Sequence, residues 1–293
     1  MKLEGTYTAL VTPFRADGEL DLRALADLVE WQIASGIDGL VPCGSTGESA
    51  TLTHEEHHRV VRHVVETTRG RVAVIAGTGS NSTREATDLT GAAREAGADG
   101  ALLISPYYNK PTQEGIYEHY RAIAEASGLP LVLYNIPGRT ASRIDPATSA
   151  RLSRVSGVAG LKDAGGDLGA TSETIAAAAE GFAVLSGDDA LTLPMLAIGA
   201  RGVITTTGNV APRQMAEITR AFLAGDLARA RAAHYALLPL MQALFVETNP
   251  IPVKTAVHLI GRIPCPALRL PLTALSKSNR PRLEAALEGI ERP

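Results

Sequence analysis

The residue pattern predicts an α/β chain closed into a (β/α)8 barrel, a TIM barrel, with an α-helical appendage at its C-terminal end. Three observations carry that prediction. Short apolar runs alternate with longer amphipathic stretches through residues 1–224, there are eight such runs with starts 19 to 33 residues apart, and none recurs beyond Gly225. A doubly wound dinucleotide fold usually has about six strands and a glycine-rich first turn, whereas eight repeated units are what a closed barrel needs.

The strand segments are Tyr7–Val11, Gly39–Cys43, Val72–Ala76, Ala101–Ile104, Leu131–Tyr134, Val158–Leu161, Ala183–Leu185 and Gly202–Thr205. They are nearly continuous Val, Ile and Leu bounded by Gly or Pro, the composition of parallel strands covered on both faces. Between them, Leu22, Leu25, Leu28, Val29 and Ile33 recur at helical spacing, with Asp21 ahead of them and Gly36 just beyond. Thr53-His54-Glu55-Glu56 is a capping-box start for the next helix. Ser82–Ala96 and Gln113–Ser127 each run into a glycine, the usual helix stop. After Gly225, Asp226–Phe245, Pro252–Ile260 and Arg280–Leu287 read as helices between proline-rich turns. The expected division is a barrel over residues 1–224 and a helical unit over residues 225–293.

Composition narrows the function. The 293 residues are 45% hydrophobic and 20% charged, with 28 Lys plus Arg against 31 Asp plus Glu. A net charge of -3 without a basic stripe argues against a nucleic-acid footprint. Two cysteines, Cys43 and Cys265, make no disulfide framework. Neither a signal-type apolar run at the start nor an apolar stretch of membrane-spanning length is present, so a soluble, cytoplasmic, globular protein is expected.

Barrel chemistry sits where strands end. Among the strand ends Lys162 is unusual, because it closes the run Val158-Ala159-Gly160-Leu161, from which its side chain could enter the barrel mouth. It reads either as a partner of a carboxylate such as Asp163 or as a Schiff-base nucleophile. A free lysine is neutral in only about one part in two thousand at pH 7, and lowering its pKa by about three units raises that fraction nearly a thousandfold. Tyr134 ends the preceding strand and could relay protons, or could merely pack. The turn Gly44-Ser45-Thr46-Gly47 offers hydroxyls and backbone N–H groups to a small carboxylate, without the lysine of a phosphate loop. Two motifs are decoys. Gly77-Thr78-Gly79 imitates a dinucleotide fingerprint but lacks the third glycine and lies in the third unit. His54-Glu55-Glu56-His57-His58 satisfies a zinc-peptidase pattern, yet helix-start chemistry accounts for it and no third ligand can be placed, so no metal is expected.

Together, Gly44-Ser45-Thr46-Gly47-Glu48, Pro106-Tyr107-Tyr108-Asn109, Tyr134-Asn135-Ile136-Pro137-Gly138-Arg139-Thr140, Gly160-Leu161-Lys162-Asp163, Ser186-Gly187-Asp188-Asp189 and Asn249-Pro250-Ile251-Pro252-Val253-Lys254 stand in an order that resembles the pyruvate-dependent class I aldolase and N-acetylneuraminate lyase family. The resemblance spans Val11 to Pro271 and implies a covalent imine between Lys162 and pyruvate with no separate cofactor. It implies a proton relay of Tyr134, Ser45 and Tyr108, the last reaching in from a neighbouring subunit of a homotetramer built as a dimer of dimers. Thr46 would hold the pyruvate carboxylate, and the Gly187 and Ile204 backbones would line the pocket. Arg139 suits the second carboxylate of aspartate 4-semialdehyde, or caps its loop locally. Ser49, Ala50, His54, His57, Asn81, Glu85 and Tyr107 match an inhibitory site for L-lysine at a subunit interface. The alternatives are a sibling aldolase using another aldehyde or a keto-deoxy sugar acid, and a non-catalytic sensor of pyruvate or lysine. Three departures stand out: Ser45 where threonine is more usual, Ala141-Ser142 where a glycine is commoner, and Gly208 where a small non-glycine residue is more frequent.

Overall fold

The computed structural model describes residues 2–290. Its first half runs β1 (Gly5–Ala9), α1 (Leu22–Ala34), β2 (Gly39–Val41), α2 (His54–Thr68), β3 (Ala73–Gly77), α3 (Thr83–Glu95), β4 (Gly100–Ile104), α4 (Gln113–Ser127) and β5 (Leu131–Asn135). It continues with α5 (Pro137–Thr140), α6 (Pro146–Leu152), β6 (Val158–Asp163), α7 (Leu168–Ala177), β7 (Ala183–Ser186), α8 (Thr192–Ala197), β8 (Gly202–Thr205) and α9 (Pro212–Leu223). Three further helices follow: α10 (Leu227–Ala243), α11 (Ile251–Leu259) and α12 (Arg280–Leu287). The strands close in sequence order, β1 pairing in parallel with both β2 and β8.

Strand alternation sorts the barrel into two layers. Leu131 and Leu133 of β5 face the helices, while Val132 and Tyr134 face inward with Tyr7, Val41, Ile75, Leu102, Leu185 and Ile204. Period two therefore decides which side chains reach the barrel lumen. The outer layer also holds Leu237, Leu240 and Met241 of α10 and Leu283 and Leu287 of α12, so these late helices share a core with the barrel's exterior.

Local chemistry sets the helix starts. The side chains of Asp21, Thr53, Ser82, Thr112 and Asp226 each accept from a backbone N–H in the first turn of the helix that follows. The capping box forms in full, and Glu56 does more than cap: it is held in a bidentate pair by Arg269 at 2.5 and 2.7 Å, which lowers its pKa to about 2.

Strand boundaries shift from expectation by one or two residues in every strand but β8, and the shifts at β1 and β6 have clear causes. Leu10 and Val11 are buried but leave the sheet, Val11 donating its N–H to Asn209 Oδ1 at 3.0 Å, because β8 pairs with β1 only over Gly5–Thr8. At β6 the ladder runs on through Lys162 and Asp163, since β5 and β7 offer partners to both. The departure at Gly208 has a packing cause. A Cβ there would lie 2.6 Å from Thr8 Oγ1 and 2.7 Å from Thr205 Cγ2. Gly208→Ala is expected to cost about 1–3 kcal/mol through overpacking, read as a lower Tm.

Candidate active site

Lys162 and Tyr134 are register partners on neighbouring strands. Leu161 faces the helices, so Lys162 faces the lumen, where it is 6% exposed with Nζ 4.2 Å from the centre of the Tyr134 ring. Asp163, one residue on, must point the other way. Its carboxylate accepts from Asn135 Nδ2 at 3.0 Å, the Gly165 N–H at 3.0 Å and Thr171 Oγ1 at 2.7 Å. The reading of Lys162 as the partner of Asp163 is therefore corrected by strand parity. Among the described residues Lys162 has no ion-pair partner.

Burial pushes Lys162 down from 10.5 to about 8, with Asp189 opposing the shift and Arg139 adding to it. At pH 7 that leaves roughly one-tenth of the amine neutral, against about one part in two thousand for an exposed lysine. The same burial raises the Tyr134 phenol above its ordinary value, so it stays protonated near neutrality and can act through its O–H. Gly187 lets the β7 loop lie against the lysine stem, since a Cβ there would sit 3.0 Å from Lys162 Cε. Its N–H is already given to the Asp163 carbonyl at 2.7 Å, so any pocket role falls to its carbonyl and its lack of a side chain.

A cavity of about 480 Å³ opens beside this pair, lined by Ser45, Tyr134, Arg139, Leu102, Ile104 and Tyr107 among others. Lys162 is in contact with the Tyr134 ring, which lines this cavity. Ile204 points into the barrel within the cluster that holds Tyr134. Ser45 and Tyr134 share the cavity without a hydrogen bond between their hydroxyls. Thr46 is buried, its Oγ1 accepting from Asn249 Nδ2 at 2.9 Å. Arg139 stands on α5 and donates through Nη2 to the Asn249 carbonyl at 2.8 Å, a contact across 110 residues rather than a local loop cap. Ala141 at the end of α5 takes φ 54°, the left-handed region, where a glycine is commoner. Hydroxyls of Ser105, Thr140 and Ser142, buried together, hold that loop.

The same cavity continues to Ser49, Ala50, His54, His57 and Glu85. Glu85 is engaged by His54 Nε2 at 2.8 Å and by Ser80 Oγ, which lowers its pKa. His57 Nε2 meets the Gly77 carbonyl at 2.7 Å, so the imidazoles of this helix start diverge. Among the described residues no three His, Cys, Asp or Glu side chains are grouped to hold a metal ion. Two expected members stand apart. Asn81 does not line the cavity, and its carbonyl accepts from Asn109 Nδ2 at 2.9 Å. Tyr108 is 88% exposed at φ 70° and does not line the cavity.

A model of the dihydrodipicolinate synthetase family matches residues 2–290. The chain belongs to that family. A 4-hydroxy-tetrahydrodipicolinate synthase of Nitratidesulfovibrio vulgaris is 54% identical over 98% of each chain. Among solved structures, the chloride-inhibited dihydrodipicolinate synthase of Acinetobacter baumannii complexed with pyruvate superposes with a TM-score of 0.95 at 45% identity, covering 98% of each chain. The enzyme of Cyanidioschyzon merolae with lysine bound gives 0.94 at 40% identity, over 98% of this chain and 97% of that one.

Sequence reasoning passed over two residues of this family member's site. Asn249 bridges Thr46 and Arg139, linking the two proposed carboxylate binders. Asp189 is buried with Oδ2 accepting from the Thr206 and Thr207 N–H groups at 3.1 and 2.6 Å, and its charge acts on both Lys162 and Tyr134. Both lie in motifs visible in the sequence, but only the closed barrel brings them to the site.

Proposed function

We propose that the chain condenses pyruvate with L-aspartate 4-semialdehyde to 4-hydroxy-tetrahydrodipicolinate, through an imine on Lys162. The observation that carries this reading is a buried amine inside a closed barrel, lying against a phenol and, among the described residues, without a counter-ion in contact. Lys162 attacks the pyruvate ketone, and loss of water leaves the imine. Loss of a methyl proton gives the enamine, whose carbon attacks the aldehyde to form the new carbon–carbon bond. The amino group of the semialdehyde then displaces the lysine as the ring closes. Tyr134 and Ser45 carry protons in these steps, with Tyr108 supplied by another copy of the chain. That role fits a tyrosine held outward on its own subunit. Thr46 receives the pyruvate carboxylate beside the turn N–H groups, and Arg139 receives that of the semialdehyde.

Association of at least two copies is part of this reading, because Tyr108 has a catalytic role only across a subunit contact, and a homotetramer built as a dimer of dimers would supply that contact. L-lysine as an inhibitor is supported by the extension of the cavity toward His54 and Glu85, and by the lysine-bound relative. Among the described residues no helix is long and apolar enough to cross a membrane.

The test is borohydride trapping of pyruvate, with the modified residue located by mass spectrometry. The mass should fall on Lys162. Since the neutral amine is the nucleophile and its fraction grows as the proton leaves, the initial trapping rate should rise about tenfold per pH unit below about 8 and level off above it. A flat profile, or modification elsewhere, rejects the reading. A coupled assay with semialdehyde and with keto-deoxy sugar acids then distinguishes the synthase from a sibling aldolase.

A further inference from the structure

The Asn249–Lys254 motif places a lysine, Lys254, in the interior far along the chain from the catalytic strands. Lys254 and Glu48 are both 0% exposed at their side chains, with Nζ 2.6 Å from Oε1. The ammonium also lies 3.9 Å from the centre of the Phe14 ring, and the guanidinium of Arg269 lies 4.4 Å from that same ring. The second Glu48 oxygen, Oε2, accepts the Arg269 backbone N–H at 3.1 Å, so the carboxylate is enclosed by α11 and the chain that follows it.

Glu48 ends the turn that begins at Gly44, in left-handed backbone at φ 56°. The turn is laced by its own N–H groups, Gly47 to the Gly44 carbonyl at 3.0 Å and Glu48 to the Ser45 carbonyl at 3.2 Å. The segment around the start of α11 grips it at two points. Asn249 holds Thr46, and Lys254, five residues later, holds Glu48. Burying two charges is costly, and an apolar pair of similar volume is often as stable or more so. What the ion pair adds is direction, because it defines where a two-residue step back along the turn places Thr46.

We propose that Lys254, through its ion pair with Glu48, is a positioning residue for pyruvate recognition: it fixes the Gly44–Glu48 turn so that the Thr46 side chain and the Ser45 and Thr46 N–H groups, which the turn itself does not use, face the incoming carboxylate. The inference rests on the functional reading above. Lys254 does not line the cavity, and Glu48 borders it with a carboxylate already engaged by Lys254 and the Arg269 N–H. Both act through the turn, so their loss should weaken pyruvate binding while leaving the chemistry at Lys162 intact once the site is filled.

The experiment compares the parent with Glu48→Gln, Lys254→Met and the double variant, following Tm and the pyruvate dependence of borohydride trapping at one pH. The double variant leaves no unpaired buried charge and is expected to fold. The pyruvate concentration giving half-maximal trapping should rise about tenfold or more, as for the loss of one hydrogen bond to a charged group. The limiting rate at saturating pyruvate should fall by less than about threefold, as for a purely binding contribution. An unchanged half-saturation in the folded double variant, with only Tm moving, overturns the proposal. Should that double variant not fold, Glu48→Gln combined with Lys254→Gln, which also leaves no unpaired buried charge, decides by the same reading. A parent enzyme that traps no pyruvate removes the functional reading, and this inference with it.

Discussion

Lys162→Met is expected to abolish turnover and at the same time to raise thermal stability. Loss of the nucleophile placed against Tyr134 removes covalent catalysis, a fall in kcat of at least about 10⁴-fold. The stability gain follows from the direction of the shift. Lys162 is lowered from 10.5 to about 8, so between those values the unfolded chain binds more protons than the folded one and stability rises with pH. Below about 8 the folded protein carries the whole penalty, roughly 3 kcal/mol, which methionine of similar length does not incur. The variant should therefore melt several degrees higher at pH 7, with the advantage shrinking as the pH approaches 10.5. Calorimetry at pH 7 and near pH 10 checks both parts. Equal melting temperatures at pH 7 would mean that the amine is not desolvated, which removes the basis for its activation.

Arg139→Ala should divide the two substrates. Its guanidinium lines the cavity and reaches the Asn249 carbonyl at 2.8 Å, which leaves further N–H donors for a carboxylate. Losing a charge-assisted contact of this kind should lower kcat/KM for the semialdehyde by about 10²-fold. Pyruvate trapping at high pH should change little. Because the positive charge of Arg139 also helps to lower the Lys162 pKa, its removal should move the acid limb of the trapping profile to higher pH. A limb that stays in place while semialdehyde turnover falls would confine Arg139 to binding. Unchanged semialdehyde kinetics would remove it from the site.

The barrel was legible because the strands are buried on both faces and six of the twelve described helices begin on a capping side chain. Val158–Leu161 reads as a strand from composition alone, and Thr53 with Glu56 announces the start of α2. The position of Lys162 at a strand end was equally plain. Its orientation could also have been taken from strand parity, which separates it from Asp163 without any coordinates. The boundary at β1 was less accessible, since Leu10 and Val11 are as apolar as strand residues and leave the sheet only because their partners do. The Glu48–Lys254 pair was out of reach: two charged residues 206 positions apart carry no local mark that they will meet in the interior.

Taken alone, the order of apolar runs and caps determined the number of strands, their parallel arrangement and the strand on which the reactive amine sits, because these depend on neighbours within a few residues. Tertiary structure decided the rest. Desolvation of Lys162, the bridge from Asn249 to both Thr46 and Arg139, and the outward stance of Tyr108 depend on groups brought together from distant parts of the chain. A pKa and a binding geometry are properties of the surrounding space, and that space exists only once the barrel has closed.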